Sequence, residues 1–158
     1  MKFLSLVALA LIAPGLLLAQ KSKPLKNLDQ LSVVVEDLGE VGSQMGLSHE
    51  SLESVALVAL KHNLPNLKID QTAASYLYLK VLAVKTAGDE VAAYVSVEMK
   101  RDVKIVRDFT DTVVDEEFAP VWHRGKLLAG PRSDMASRVR QSITDYLTEF
   151  AADYDRQN

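Results

Sequence analysis

The sequence predicts an α/β fold of the α+β type: a two-layer sandwich with two helices on one face of a sheet. The mixed, mostly antiparallel sheet is expected to have four to five strands, in the order β-α-β-β-β-β-α. Three observations predict this fold. A helical apolar repeat follows a β-branched segment, alternating apolar and polar residues fill the middle of the chain, and a long amphipathic stretch ends it.

The composition is that of one globular domain. The 158 residues are 48% hydrophobic and 25% charged, which excludes collagen, disordered tails and multi-pass membrane proteins. A formal net charge of -3 argues against nucleic acid or an anionic membrane as the main partner. The chain has no cysteine, so thiol catalysis, thiolate metal sites and a cysteine-linked lipid anchor are excluded.

The N-terminus is typical of a secretory signal peptide. Lys2 precedes an apolar run that a Pro-Gly pair interrupts, and Ala19 offers a small-residue cleavage site. The run is shorter than the ~20 residues that a membrane span needs, so no stable anchor is expected after cleavage. We therefore expect a periplasmic or secreted protein with a signal peptide at 1–19, a flexible lead-in at 20–30 and a single domain at 31–158.

The domain is predicted to begin with a strand, a loop and a helix. The β-branched segment 31–38 favours a strand, and three glycines without a strong period favour a loop over 39–46. Ser48 is the expected N-cap of a helix over 49–62. Asn63 is expected to close this helix in the left-handed conformation, because a proline follows two residues later.

Period-two patterns predict the rest of the sheet. Residues 67–69 can form a short strand, and 75–85 form a strong one. From Val91 apolar and polar residues alternate cleanly, and 121–128 is the expected last strand. Polar residues on one face of these strands indicate that this face meets solvent or a partner.

A long final helix follows a Gly-Pro break, with Ser133 or Asp134 as its expected cap. Its polar side carries both signs of charge, unlike a basic membrane-surface helix. We therefore expect it to pack on the sheet beside the first helix. Its predicted buried stripe is Met135, Val139, Ile143, Tyr146, Leu147, Phe150 and Tyr154.

Aromatic residues provide the candidate binding surface. Tyr76, Tyr78 and Tyr94 are expected on the sheet face opposite the helices, where they either dock a partner or stabilise the sheet as cross-strand pairs. Trp122 and Arg124 share one face of the last strand. They are either an interface pair on that same open face or a tryptophan packed under a helix with an arginine reaching past it.

Acidic residues provide a weak candidate site for a cation or for acid–base chemistry. An acidic loop is expected over 109–119, and it contributes Asp111, Asp115 and Glu116, with His123 nearby in sequence. The spacing does not match an EF-hand, because the acids are adjacent and the required glycine is missing. Adjacent acids in a loop are more often solvated charge than a site.

Other known motifs do not match. Gly39, Gly42 and Gly46 lack the spacing of a dinucleotide loop, and no P-loop lysine follows them. His49 opens a sequence like a zinc-protease helix, but Glu53 stands where the second histidine belongs. The G-x-S-x-G signature is absent. We therefore assign no cofactor, no resident metal and no catalytic residue.

A series of short segments carries a resemblance from about residue 46 onwards: Gly46-Leu47-Ser48, Leu52, Asn63-Leu64, Tyr76-Leu77-Tyr78-Leu79, Trp122, Ser142-Ile143, Leu147, Glu149-Phe150, Tyr154 and Asn158. In this order they resemble a family of uncharacterised exported bacterial proteins, which tends to have Gly-Ile where this chain has Asn63-Leu64. The chain also resembles, at the level of the fold, the N-terminal domain of TolB and the lipopolysaccharide-assembly protein LptE, which are periplasmic adaptor-like modules without catalysis. Unlike LptE, this chain has no lipid-anchor cysteine.

Three hypotheses about function follow from the sequence. The first is an exported non-enzymatic binding or adaptor module whose partner is a protein or another envelope component. The second is a small hydrolase or cation-binding protein that uses the acidic loop and His123. The third is a structural homo-oligomer joined through the open sheet face or an edge strand.

Overall fold

A computed structural model describes residues 23–107 and 112–158, without the side chains of 104–116. The signal peptide predicted at 1–19 lies outside the described residues. No helix within the described ranges is long and apolar enough to span a membrane.

The elements are β1 Gln30–Val35, α1 Gly39–Gln44, α2 His49–Asn63, β2 Lys68–Ile69, β3 Tyr76–Lys85, β4 Glu90–Arg107, β5 Thr112–Pro131 and α3 Arg132–Asp155.

The five strands form one mixed sheet in the order β2-β1-β3-β4-β5. β1 is parallel to both β2 and β3. The chain leaves β1 through α1 and α2 and then returns to the sheet in the same direction. The β3–β4 and β4–β5 pairs are antiparallel. The predicted α+β fold with a mixed, mostly antiparallel sheet is confirmed.

The main core lies between the sheet and the helices. Alternate residues of β3 and β4 point into it, and Leu77, Leu79 and Met99 are fully buried there. α3 covers β4 and β5, and its predicted stripe is confirmed: Met135, Val139, Ile143, Leu147 and Phe150 are fully buried, Tyr146 is buried and Tyr154 is partly buried.

α2 begins as predicted but ends differently. Ser48 accepts a hydrogen bond from the Ser51 backbone N–H at 3.1 Å, and the Ser51 hydroxyl oxygen accepts one from the Ser48 N–H at 3.2 Å. This reciprocal pair is a capping box made with serine. The predicted left-handed Asn63 is wrong. Asn63 is the last helical residue, and its side-chain amide donates to the Ala59 carbonyl at 2.9 Å, which leaves Leu64 as the C-cap.

The loop predicted over 39–46 contains the short helix α1, so the described part of the chain has three helices. Gly39, the first residue of α1, has a φ of +62°, and Gly46, two residues after its end, has a φ of +78°, so these glycines change the chain direction at both ends of the helix. Gly42 lies inside α1, where a Cβ atom would come within 3.0 Å of the Leu38 Cβ. Glycine therefore permits a tight helical turn here.

The flexible lead-in predicted for 20–30 is wrong for the part that the structure describes. Leu25 and Leu28 are buried in the core. Two contacts from the C-terminus hold this segment: the Tyr154 hydroxyl donates to the Leu28 carbonyl at 3.0 Å, and the Asn158 side chain donates to the Leu25 carbonyl at 3.1 Å. Burial raises the pKa of the Tyr154 hydroxyl, so it stays protonated as a donor at neutral pH.

The predicted acidic loop is mostly strand. β5 begins at Thr112, and its residues before Pro120 pair with β4 beyond the end of β3, so the hairpin extends past the rest of the sheet. Thr112, Val113 and Val114 are β-branched, which favours an extended backbone over the loop that the acids suggested. Asp111 lies outside the described residues.

Candidate functional site

The face of the sheet opposite the helices is uncovered in the described part of the chain. We call it the open face. Five of the six large apolar side chains that are exposed among the described residues lie on it, and the sixth, Val58, is on α2. The register places the following residues on the open face: Val34, Tyr76, Tyr78, Lys80, Leu82, Val84, Tyr94, Ser96, Glu98, Lys100, Phe118, His123 and Leu127.

The exposed apolar residues are concentrated at one end of the open face. Leu82 is 49% exposed, Val84 60% and Leu127 71%. Tyr94 lies directly between Leu82 and Leu127 in the register, so these residues form one apolar patch near the β3–β4 turn. A soluble monomer rarely leaves such a contiguous apolar patch without a use for it.

The other end of the open face is aromatic. Tyr76 stacks on Phe118 with the ring centroids 5.3 Å apart, and it meets Tyr78 edge-on at 6.3 Å. The Lys100 ammonium lies 4.2 Å from the centre of the Tyr78 ring, a cation–π contact. The three tyrosines predicted for this face do lie on it. They also stabilise the sheet, because each ring is half-buried against its neighbours.

Gly125 gives Tyr94 its position. The Tyr94 hydroxyl lies 3.3 Å from Nε2 of His123, and a Cβ atom on Gly125 would come within 3.0 Å of the carbon that bears this hydroxyl. A side chain at this position would displace the tyrosine. Glycine in the middle of a strand therefore allows the tyrosine ring to lie flat across β5.

The charges in the middle of the open face balance. Lys80 is 3.4 Å from Glu36, and Lys100 is 3.4 Å from Glu98. The charges of two lysines and two glutamates thus cancel. This part of the open face has no net positive charge that would attract nucleic acid or anionic lipid. Ser96 lies among them but is buried, although its position on the polar side of β4 predicted exposure.

Trp122 and Arg124 do not belong to the open face, so the prediction that joined them to the tyrosines is wrong. Trp122 pairs with the buried Met99 and therefore points toward α3. Its indole N–H donates to Oδ2 of Asp153 at 2.8 Å, and its ring meets Phe150 at 5.3 Å. The alternative interpretation, a tryptophan packed under a helix, is the correct one.

Arg124 lies beside this tryptophan at the edge of the helix layer. Its Nε donates to Glu149 at 2.7 Å, and its guanidinium lies 5.1 Å from the centre of the Trp122 ring. Both partners of the Arg124–Glu149 pair are about half exposed, so the pair adds little to stability. Arg124 joins β5 to α3 and points away from the open face.

His123 lies far along β5 from the acids of the predicted acidic site. Glu116 and His123 belong to the same strand, seven residues apart, which is roughly 20 Å at 3.3 Å per residue. That separation is too long for one cation or one acid–base pair, and Asp115 lies one residue further away. Among the side chains that the structure describes, those of 23–103 and 117–158, no group of three metal-ligating residues is close enough to hold an ion.

Two further places have features that sequence reasoning missed. Asp70 has a pKa held well below its usual range by the Lys68 ammonium, 2.6 Å away, and by the Thr72 hydroxyl and backbone N–H. These are local contacts of the turn after β2, so the shift has a structural cause. A shallow groove of about 530 Å³ lies between α2 and α3, and neutral side chains together with His62 line it.

No family model and no curated protein matches this chain. Solved structures similar to it include a minor lipoprotein from Acinetobacter baumannii, with 11% identity over 82% of this chain and 93% of that chain and a TM-score of 0.38. A variant of PelC from Paraburkholderia phytofirmans, solved as a dodecamer, has 16% identity over 80% and 86%, with a TM-score of 0.38. A candidate lipoprotein from Caulobacter crescentus CB15 has 13% identity over 83% and 96%, with a TM-score of 0.29. At TM-scores below 0.5 these similarities carry no argument about function.

Proposed function

We propose that this protein is an exported, non-enzymatic binding module that docks a protein partner on its open face. The observation that carries the proposal is the concentration of exposed apolar side chains on that one face. Export rests on the signal-like sequence at 1–19. The resemblance to exported bacterial proteins agrees with it.

The chemistry of the open face favours a protein over other partners. Its apolar end offers Leu82, Val84 and Leu127 for burial, and burial of apolar surface drives protein association. Tyrosine, which is enriched at protein interfaces, lies beside them at Tyr94. The balanced lysines and glutamates give no attraction to a polyanion.

The alternative of a hydrolase or cation-binding protein that combines the acids with His123 is less favoured, because seven residues of one strand separate His123 from Glu116. The alternative of a homo-oligomer uses the same open face, with a second copy as the partner. It is therefore a special case of the proposed docking.

Site-specific photocrosslinking in living cells tests the proposed function. A photoreactive amino acid at position 82 or 127 is expected to give adducts with a protein, because both side chains are exposed on the open face. Position 58 is the matched control, since Val58 is 66% exposed but lies on α2. Adducts from 82 and 127 but not from 58 support docking on the open face. No adducts, or equal adducts from all three positions, contradict it.

A charge substitution gives a second readout. Leu127→Asp is expected to abolish these contacts with little change in the melting temperature of the dilute single chain, because the leucine is exposed there. Tyr78→Glu is expected to weaken them too, but it also removes the contact with Lys100 and lowers stability. Leu127→Asp therefore separates binding from stability better than Tyr78→Glu. If Leu127→Asp lost its folded structure along with its contacts, the proposal would be wrong.

A further inference from the structure

We infer that the protein docked on the open face is a second copy of this chain, so that two sheets pack face to face in a two-fold dimer. This inference rests on the proposed function, because it names the partner of the same surface. The dimer would have four layers, with the helices of each copy on the outside and the two sheets inside.

The size of the open face is sufficient for a dimer. Four neighbouring strands, β1, β3, β4 and β5, form it, and β3 pairs with β4 over ten residues. At ~4.8 Å between strands and ~3.3 Å per residue, β3, β4 and β5 cover about 14 by 33 Å, and the four paired residues of β1 add about 5 by 13 Å. Two such faces together bury on the order of 1,100 Å², which exceeds the roughly 1,000 Å² that a specific interface needs.

The charges of the open face suit a symmetric contact. A two-fold interface brings the same patch of both copies together, so any excess charge would meet itself. Here Lys80 is paired with Glu36 and Lys100 with Glu98, and these pairs leave no excess. Each of these four charges has its partner within its own copy, so covering the open face leaves no ion unpaired, and an unpaired buried ion is strongly destabilising.

The shape of the open face also suits a second copy. Twisted sheets pack closely on sheets of the same hand of twist, with their strands nearly aligned. A second copy supplies a sheet with the same width and the same spacing of side chains. Both copies also place Leu82, Val84 and Leu127 at one end, where they can interdigitate.

Pairing through the edge strand is less favourable than pairing through the open face. β5 is one edge of the sheet, and the other edge, β2, is only two residues long. In the register centred on Gly125, a symmetric antiparallel pairing of two β5 strands would place Arg124 of each copy opposite Lys126 of the other. Like charges directly opposite each other destabilise a sheet. Charged residues are also a common means of blocking edge association.

Sedimentation velocity of the processed protein recovered from cells tests the inference. We expect a concentration-dependent dimer, and Leu82→Asp and Leu127→Asp each to raise its dissociation constant by at least about 100-fold, because a buried unpaired carboxylate is costly. Val58→Asp is the control and should leave the dimer unchanged. A monomer at every concentration, or a dimer that both open-face variants leave intact, overturns the inference.

A distance measurement separates the possible dimers. Because the chain has no cysteine, a single cysteine introduced at position 82 or 58 carries a spin label without background. In the proposed dimer the labels at 82 are closer together than those at 58, since facing sheets lie ~10 Å apart and each helix layer adds about 10 Å. Labels closer at 58 than at 82 overturn the inference.

The proposed function and this inference fail in distinguishable ways. If photocrosslinks from position 127 join the chain to a different protein while the purified chain stays monomeric, the open face docks a partner and the inference alone is wrong. If position 127 gives no adduct in cells and the purified chain stays monomeric, both are wrong.

Discussion

The two faces of one sheet differ in how their apolar side chains are covered. On the inner face Leu77, Leu79 and Met99 are fully buried beneath the helices. On the open face Leu82 is about half exposed and Leu127 is 71% exposed, although they lie on the same or neighbouring strands. The chain supplies two long helices for one face and, among the described residues, none for the other. The difference indicates that the inner face holds the fold together and that the open face is left available for the docking proposed above.

The largest expected effect is on the inner face. Phe150→Ala removes a fully buried ring that packs on Trp122, and we expect it to lower the free energy of unfolding by about 3–5 kcal/mol. Chemical denaturation measures this loss. Leu127→Ala on the open face is the control and should change stability by less than about 0.5 kcal/mol. A loss below about 1 kcal/mol for Phe150→Ala would mean that α3 is not packed on the sheet.

The next effect concerns the edge where β5 meets α3. Asp153→Ala leaves the buried indole N–H of Trp122 without its acceptor and removes one partner of Arg124. We expect a loss of about 1–3 kcal/mol in thermal or chemical unfolding. Asp155→Ala, on the same helix but exposed, should be nearly neutral. Equal effects of the two variants would contradict a structural role for Trp122.

A smaller effect is expected at the start of α2. Ser48→Ala removes the oxygen that accepts the Ser51 N–H, and we expect a loss of about 0.5–2 kcal/mol. Ser54→Ala, in the helix interior, is the control and should be neutral or slightly stabilising, because alanine favours helix. Denaturant midpoints of the two variants make the comparison. A loss at Ser54 equal to that at Ser48 would argue against the capping box.

The smallest effect on stability is expected on the open face. Leu127→Asp should change the free energy of unfolding by less than about 0.5 kcal/mol, because the leucine makes few contacts within the chain. Its unfolding should be measured at a concentration low enough to dissociate any dimer. A loss as large as that of Phe150→Ala would show that Leu127 belongs to a core, and the contrast between the two faces would fail.

The sequence predicted the inner face well, because its signals are periodic. The alternation of β4 and the helical repeat of α3 identified the residues that the structure buries, including Met99 and Phe150. The start of α2 was predicted from its Ser48 cap. The same alternation placed the tyrosines of β3 and β4 on the correct face. Successive side chains of a strand point to opposite faces, so knowing which residues are buried also identifies the residues on the other face.

The failures lie where no period exists or where an irregularity changes it. β5 skips a residue against β4 at Val121, since Trp122 pairs with Met99 but Pro120 pairs with Lys100. A bulge of this kind changes the face of every residue beyond it, and no local pattern in the sequence marks its position. The face on which Trp122 lies could therefore be assigned only once its partner on β4 was known.

The short helix α1 was not predicted for a different reason. Its segment contains three glycines, and glycine on average favours loops over helices.

One measurement tests the central claim, that the open face is covered in use. Hydroxyl-radical footprinting compares the reactivity of Leu82 and Leu127 with that of Val58, first in dilute purified protein and then in intact cells. We predict that Leu82 and Leu127 lose most of their relative reactivity in cells, because a docked protein excludes water from them. If the two ratios are the same in cells as in dilute solution, the open face is free surface and the proposed function is wrong.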